Sequence, residues 1–399
     1  MSYDFTSCSD RSATGSLKWR EMLARKPSTA PGVIPFSVAD MELPLAPEIV
    51  SALADFLSGQ PNLGYCGPQD SYYEALADWM ERRQNWRPEK EWVVETNGVV
   101  PALFTAVSAL TAPGEGVILF TPAYHPFYAA VDNLGRRRVE IPLIETGSRY
   151  MIDFDRLEEQ ARQPENRLLL FCSPHNPGSR VWTREELLRL ADVCLRHRLN
   201  VVSDEIHSDL VQPGHPHQVF PAVSPEMAAQ TVLATSPSKT FNLAGLQVSN
   251  LIIPNPRLRN AFVAVRRQAG LFHNNLFAYI AAEAAYRRGE AWLTALLLHL
   301  RENYALLCQH LGEHFPEVIP FELEGTYLAW LDFRAWERDA KKLEHFLVEE
   351  AEVFVSQGRQ FGKGGEGFAR LNLACPRVKL HDALERLRLA RSRHRHARG

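Results

Sequence analysis

Asp204 closes the apolar run "NVVSD", and Lys239 stands in a Ser-Pro-Ser-Lys turn at the end of the next run, "TVLAT". Aspartate and lysine are seldom buried without a partner. Both fall where apolar runs end, which is where open α/β sheets bind their ligands. Taken singly, each has an ordinary reading: Asp204 as a helix cap or turn aspartate, Lys239 as a surface lysine in a polar turn. Taken together they define a chemistry. A lysine held out of water near a second cationic centre gives up its proton and becomes an amine nucleophile or Schiff-base former. A carboxylate at the other end of a site can keep a heterocyclic nitrogen protonated.

Those two residues need a sheet to place them. After an irregular opening, "APEIVSALADFL" and "QDSYYEALADWMERR" carry apolar residues at helical spacing. Short apolar runs then alternate with helical ones. "EWVVETN" precedes "VVPALFTAVSAL", "GVILFTP" precedes "HPFYAAVDNLG", and "RRVEIPL" precedes a helix near Asp155. "RLLLFCSP" precedes "TREELLRLADVCLRHR", whose Thr183 and Glu186 have capping-box spacing. "NVVSDEI", "TVLATSPS" and "SNLIIP" complete seven strands. Such alternation predicts an α/β fold with a mainly parallel seven-stranded sheet between two layers of helices.

Beyond Asn274 the pattern changes to long helices over roughly 275–288 and 290–313, the strands "TYLAWLDF" and "FARLNLACP", and helices near 339–351 and 380–391. That is a second, smaller α+β unit. The expected division is a large domain over 46–284 and a small domain joining the amino-terminal arm, 1–45, to 285–399.

Composition narrows the function. The chain has 399 residues, 45% hydrophobic and 23% charged, as in ordinary globular proteins. Its 44 basic and 47 acidic residues leave a formal charge of −3, which favours neither nucleic acid nor an anionic membrane as partner. No apolar run approaches the ~18 residues of a membrane helix, and "MSYDFTSCSDRS" has no signal core, so a cytoplasmic protein is expected. The basic tail "RLRLARSRHRHARG" reads as a solvated end. No metal site is expected. The six cysteines form no CxxC pair, His215 and His217 flank Pro216 in a turn-rich loop, and the tail histidines His394 and His396 stand apart from other ligands. "FGKGGEGF" lacks phosphate-loop spacing and opens no helix, so it reads as a turn between small-domain elements.

An aldehyde cofactor built on a pyridine ring would need the Lys239 amine at one end and the Asp204 carboxylate at the other. Here the chain resembles the fold type I pyridoxal-phosphate enzymes, and among them the MalY/PatB-type cystathionine β-lyases. The fragments that carry the resemblance span nearly the whole chain: "DRSATGSLKW", "VADMELPLAPE", "GYCGPQDSYYEAL", "TPAYHPFY", "SPHNPGSRVWTREEL", "SDEIHSDL", "SPSKTFNLAGLQ", "EGTYLAWLDFRAW" and "FARLNLACPR".

The resemblance implies roles position by position. Lys239 would bind pyridoxal 5'-phosphate covalently and act at the substrate's Cα, and Asp204 would pair with the ring nitrogen. Asn176 would donate to the phenolic oxygen, with a share in substrate binding; by itself an Asn-Pro pair is an ordinary turn. Tyr124 would stack on the ring and assist the leaving group, where by itself it reads as packing. The phosphate would take the helix start at Gly98 and Val99, with Ser236 and Ser238 as hydroxyl donors. Tyr65 would reach the phosphate of a partner subunit, in a homodimer whose sites lie at the interface; its plain reading is a packed loop tyrosine. Arg370, on the same strand face as Phe368 and Asn372, would grip the substrate carboxylate; outside the motif it reads as solvent-facing.

His207 and Gln247 stand where aminotransferases commonly have a tyrosine and a phosphate-binding arginine. Both departures agree with the lyase subfamily. Ser37 and Gln357 depart from that subfamily, which often has tryptophan and proline there. The implied reaction is α,β-elimination from cystathionine or a related L-cysteine S-conjugate, giving a thiol, pyruvate and ammonia. An aminotransferase on the same scaffold, a specialised carbon–sulfur lyase in a biosynthetic pathway, and a regulatory binding partner remain as alternatives.

Overall fold

A computed structural model describes residues 3–59 and 61–398; the side chains of the tail from 394 on, His394 and His396 among them, lie outside it. Seven strands form the main sheet: β1 (Val93–Thr96), β2 (Gly116–Thr121), β3 (Arg137–Pro142), β4 (Asn166–Cys172), β5 (Asn200–Asp204), β6 (Thr231–Thr235) and β7 (Ser249–Ile252). Their spatial order is β1-β7-β6-β5-β4-β2-β3. The pairs from β6 through to β3 are parallel, whereas β7 runs antiparallel to both of its neighbours. The sheet is thus the mainly parallel one that the sequence predicts.

The continuous apolar runs have a simple cause, since the sheet is covered on both faces and successive side chains point to opposite ones. Along β4, Leu168, Leu170 and Cys172 enter one core, and Leu169 and Phe171 enter the other. The first core is closed by α1 (Val99–Leu110) through Leu103, Ala106 and Val107. Two further helices matter here: α2 (His125–Asp132), which follows β2, and α3 (Arg184–Arg196), whose Leu187, Leu190 and Cys194 close the second core. Thr183 caps α3 in a full capping box with Glu186.

Two long helices follow the main sheet, α4 (Leu276–Arg288) and α5 (Glu290–His314). A four-stranded antiparallel sheet follows, made of β8 (Ile319–Pro320), β9 (Leu328–Asp332), β10 (Ser356–Gln357) and β11 (Phe368–Asn372), in the order β8-β9-β11-β10. The sequence shows only the two central strands, because two-residue edge strands are too short to carry a periodic signal. The same holds for the hairpin Ile144–Glu145 with Tyr150–Met151. The last helix, α6 (Arg377–Arg398), is longer than expected. Its Arg391 ion-pairs with Glu317 at 2.8 Å and is only 5% exposed, so this part of the tail docks onto the unit instead of standing free.

The amino-terminal arm joins this second sheet. Phe36 N–H donates to Phe354 O at 2.8 Å, and Asn372 N–H donates to Phe36 O at 3.0 Å. On that connection we propose the same division as above, 46–284 against 1–45 with 285–399. No helix among the described residues is long and apolar enough to cross a membrane.

Candidate active site

Parallel strands carry their last residues to one edge. Cys172 on β4 pairs with Asp204 on β5, and Asp204 with Ala234 on β6. At that edge lies a cavity of about 270 Å³ whose wall includes Lys239, Asp204, His207, Asn176, Tyr124 and Ser238, with Gly98 and Val99 at one side. Residues read from distant parts of the sequence therefore meet in one place.

Each is positioned by a local device. After β6 the chain makes a single helical turn, Pro237–Thr240, capped by the Ser236 hydroxyl accepting from Ser238 N–H at 3.0 Å. Lys239 is carried on that turn. Gly98 precedes α1 at φ +98°, a region that disfavours side chains. It leaves the first amides of a 12-residue helix facing the cavity without intrahelical acceptors. Tyr124 occupies the corresponding cap position before α2.

The electrostatics are those of buried charges lacking their counterions. The Lys239 Nζ donates to Ala39 O at 2.6 Å, and burial lowers its pKa to about 8. Burial raises the Asp204 pKa to about 7, against the one hydrogen bond from Ile206 N–H at 3.2 Å. His207 is held well below its usual range by burial, with Lys239 and Arg370 nearby, and its Nδ1 has no partner among the described residues.

Arg370 stands just behind the wall, where its Nη1 donates to Asn176 Oδ1 at 2.8 Å and its Nη2 to Ser37 O at 3.2 Å. Its Nε is buried without a partner, and burial lowers its pKa to about 10. It is a buried cation bound only to neutral oxygens. Asn372, two residues on, donates to Val38 O and Asp40 O at 2.8 and 2.7 Å, so both side chains face the amino-terminal arm.

Ser236 and Tyr65, the latter expected at a partner subunit's site, do not line this wall. The Ser236 hydroxyl donates to Val248 O at 2.5 Å and caps the lysine turn, so its hydrogen is already committed. Tyr65 is fully exposed at 110% and off this wall. Gln247 does line the cavity.

The amino-terminal arm that closes the site is held by an ion-pair cluster that the sequence pattern does not show. Lys18, 1% exposed, ion-pairs with Asp40 at 3.0 Å and Glu42 at 2.9 Å. Arg11 pairs with the same two carboxylates at 2.9 and 2.8 Å. This cluster fixes the stretch whose Ala39 carbonyl receives both Lys239 and the Tyr327 hydroxyl, the latter at 2.9 Å. The sequence held one signal, a lysine and an acidic pair set among apolar residues, but the partners lie 22 to 24 positions apart. Removing one member of a buried ion pair costs about 3–5 kcal/mol. Lys18→Met should lower stability by that amount in urea unfolding; an unchanged midpoint would show that the cluster holds nothing.

Asp204 gives a prediction with a defined pH window. Its folded pKa is raised from 3.8 to about 7, so folding without a cationic partner binds a proton. The resulting penalty is absent below about pH 4 and complete above about pH 7. In cofactor-free protein, Asp204→Asn should therefore stabilise by about 1–3 kcal/mol at pH 8, with the gain fading as pH falls toward 4. A gain independent of pH would place the titration on another group.

Comparison with known proteins gives the class. The chain belongs to the aminotransferase class I and II family, whose profile matches residues 31–387. Over 98% of its length it is 38% identical to the whole of cystathionine beta-lyase PatB from Bacillus subtilis (strain 168). It is 34% identical to protein MalY from Escherichia coli (strain K12), over 95% of this chain and 96% of that one. Among solved structures, cystalysin from Treponema denticola, which contains a pyridoxal 5'-phosphate cofactor, superposes with a TM-score of 0.97. The identity there is 41%, covering 98% of this chain and 99% of cystalysin.

Proposed function

We propose that the protein is a pyridoxal-phosphate-dependent carbon–sulfur β-lyase that cleaves cystathionine or a related L-cysteine S-conjugate to a thiol, pyruvate and ammonia. One observation carries the reading: the cavity wall presents a desolvated amine and an unpaired carboxylate together, with a buried arginine free of any carboxylate just behind it. The residues fit the cofactor. Asp204, buried and in no ion pair among the described residues, suits a protonated ring nitrogen. Gly98, Val99 and Ser238 suit the phosphate, Asn176 and His207 the face bearing the phenolic oxygen, and Tyr124 the ring. When bound, the cofactor supplies an electron sink for charge developing at the substrate's Cα.

The chain's own residues do the rest. Arg370 holds the α-carboxylate in a two-pronged grip, which fixes the amino acid's orientation. Lys239, with a pKa of about 8, is in part a neutral amine near neutrality and takes the Cα proton. In the cofactor-free chain the carbonyl of Ala39 accepts from that amine and holds it at the cavity wall. Tyr124 stands by the β-sulfur and protonates the departing thiolate; burial raises its pKa, so it keeps its proton until then. The released aminoacrylate hydrolyses to pyruvate and ammonia.

Two finer points belong to the same proposal. The functional unit is a homodimer in which the exposed Tyr65 reaches the neighbouring site, and the setting is cytoplasmic, in keeping with six free thiols. Incubation with a panel of S-substituted L-cysteines tests the activity. Pyruvate released in step with thiol supports it, and thiol-free, pyruvate-free panels would overturn it.

A further inference from the structure

Away from the cavity, α5 and α6 bring three metal-ligating side chains together. His310 and His314 lie four residues apart on α5, so one helical turn puts both imidazoles on the same face. Their ring centroids are 4.6 Å apart. Across the helix–helix contact, Glu385 on α6 turns Oε1 toward His310 Nδ1 at 3.9 Å. One ligating atom from each of the three lies within 4.8 Å of the others.

Three features set this apart from a chance surface cluster. His310 is only 8% exposed, and its Nε2 has no hydrogen-bond partner among the described residues. The second carboxylate oxygen of Glu385 is held by Arg388 Nε at 3.0 Å, which fixes the direction of the first. A neighbour that orients a ligand in this way is a regular part of metal sites. His381, one turn before Glu385 on α6, bears electrostatically on both His310 and Glu385 and adds a third imidazole to the neighbourhood.

We propose that His310, His314 and Glu385 bind a zinc ion that clasps the carboxy-terminal helix to α5. Two imidazoles and a carboxylate form a known three-ligand zinc set, with water completing the tetrahedron. Calcium and magnesium are disfavoured, since they require oxygen-rich shells. Copper and nickel would compete by the general affinity order of divalent ions. The nearby Arg388 charge weakens the attraction, so the affinity is moderate. None of the three residues lines the catalytic cavity, and the role is to tie down the end of the chain.

Zinc titration of chelator-treated, cofactor-loaded full-length protein tests this, read by calorimetry and by thermal unfolding. The expected result is one ion per chain and a raised unfolding midpoint. His314→Ala and Glu385→Gln should each weaken binding at least ~10-fold, as losing even an outer-shell partner does, with far-UV circular dichroism unchanged. Undiminished binding in both variants would overturn the proposal. So would binding that disappears on replacing His394 and His396 instead, or wild-type protein that takes up no zinc.

Discussion

Lys239→Ala should retain its fold and lose turnover by at least the ~10²–10⁴-fold typical of removing a general base. The expectation rests on position as well as type. Lys239 projects from a capped turn at the carboxyl edge of the sheet, is half-buried at the cavity wall, and has its pKa lowered to about 8. A lysine on a flexible surface loop would have neither the restraint nor the lowered pKa. Chemical reduction with borohydride should fix cofactor to the wild-type chain at Lys239 and leave the variant unlabelled. Labelling of another lysine in the variant, with turnover within tenfold of wild type, would remove Lys239 from the role.

Arg370→Ala should reduce kcat/KM by about 10–100-fold, the equivalent of a charge-assisted hydrogen bond of ~1.5–3 kcal/mol. Arg370 is 4% exposed and meets only the neutral oxygens of Asn176, Ser37 and Ser356. A guanidinium buried in this way, stacked 4.7 Å over the Phe361 ring, is stabilised when a carboxylate arrives. Lysine at this position keeps the charge but loses the planar fork, so Arg370→Lys should recover only part of the loss. The discriminating control is a substrate analogue without the α-carboxylate. Equal losses with both compounds would show that Arg370 supports the fold of the arm and does not grip substrate.

The sequence revealed the part of this site that depends on local pattern. Asp204 and Lys239 were legible because apolar runs mark strands and polar residues mark their ends. For Arg370 alternation gave only the face it shares with Asn372, and both do face the arm; its role came from the resemblance, since alone it reads as solvent-facing. The parallel sheet followed from the beat of strands and helices, although the antiparallel entry of β7 did not, since its apolar pattern is the same in either direction. What escaped was set by long-range pairing. Lys18 and Arg11 look like surface residues until the arm folds back and buries them with Asp40 and Glu42. Ser236 is a phosphate donor by the resemblance, and its hydroxyl donates to Val248 O by a contact between two segments that the sequence pattern does not show. His310 and His314 carry a helical spacing, yet their third ligand lies on another helix, 71 residues beyond His314.

On the proposed roles, elimination and transamination would share their first step, loss of the Cα proton to Lys239, and divide at the next. Transamination returns that proton to the cofactor, whereas elimination expels the β-substituent first. His207 and Gln247, both on the cavity wall, stand where aminotransferases commonly place a tyrosine and an arginine, so the surroundings of ring and phosphate differ from theirs. The direct measurement is to supply the enzyme with L-cystathionine, with no keto acid present, and follow pyruvate, ammonia and homocysteine over many turnovers. Equal and continuing release of all three is the predicted result. A single turnover that stops, and resumes only when a keto acid is added, would contradict it.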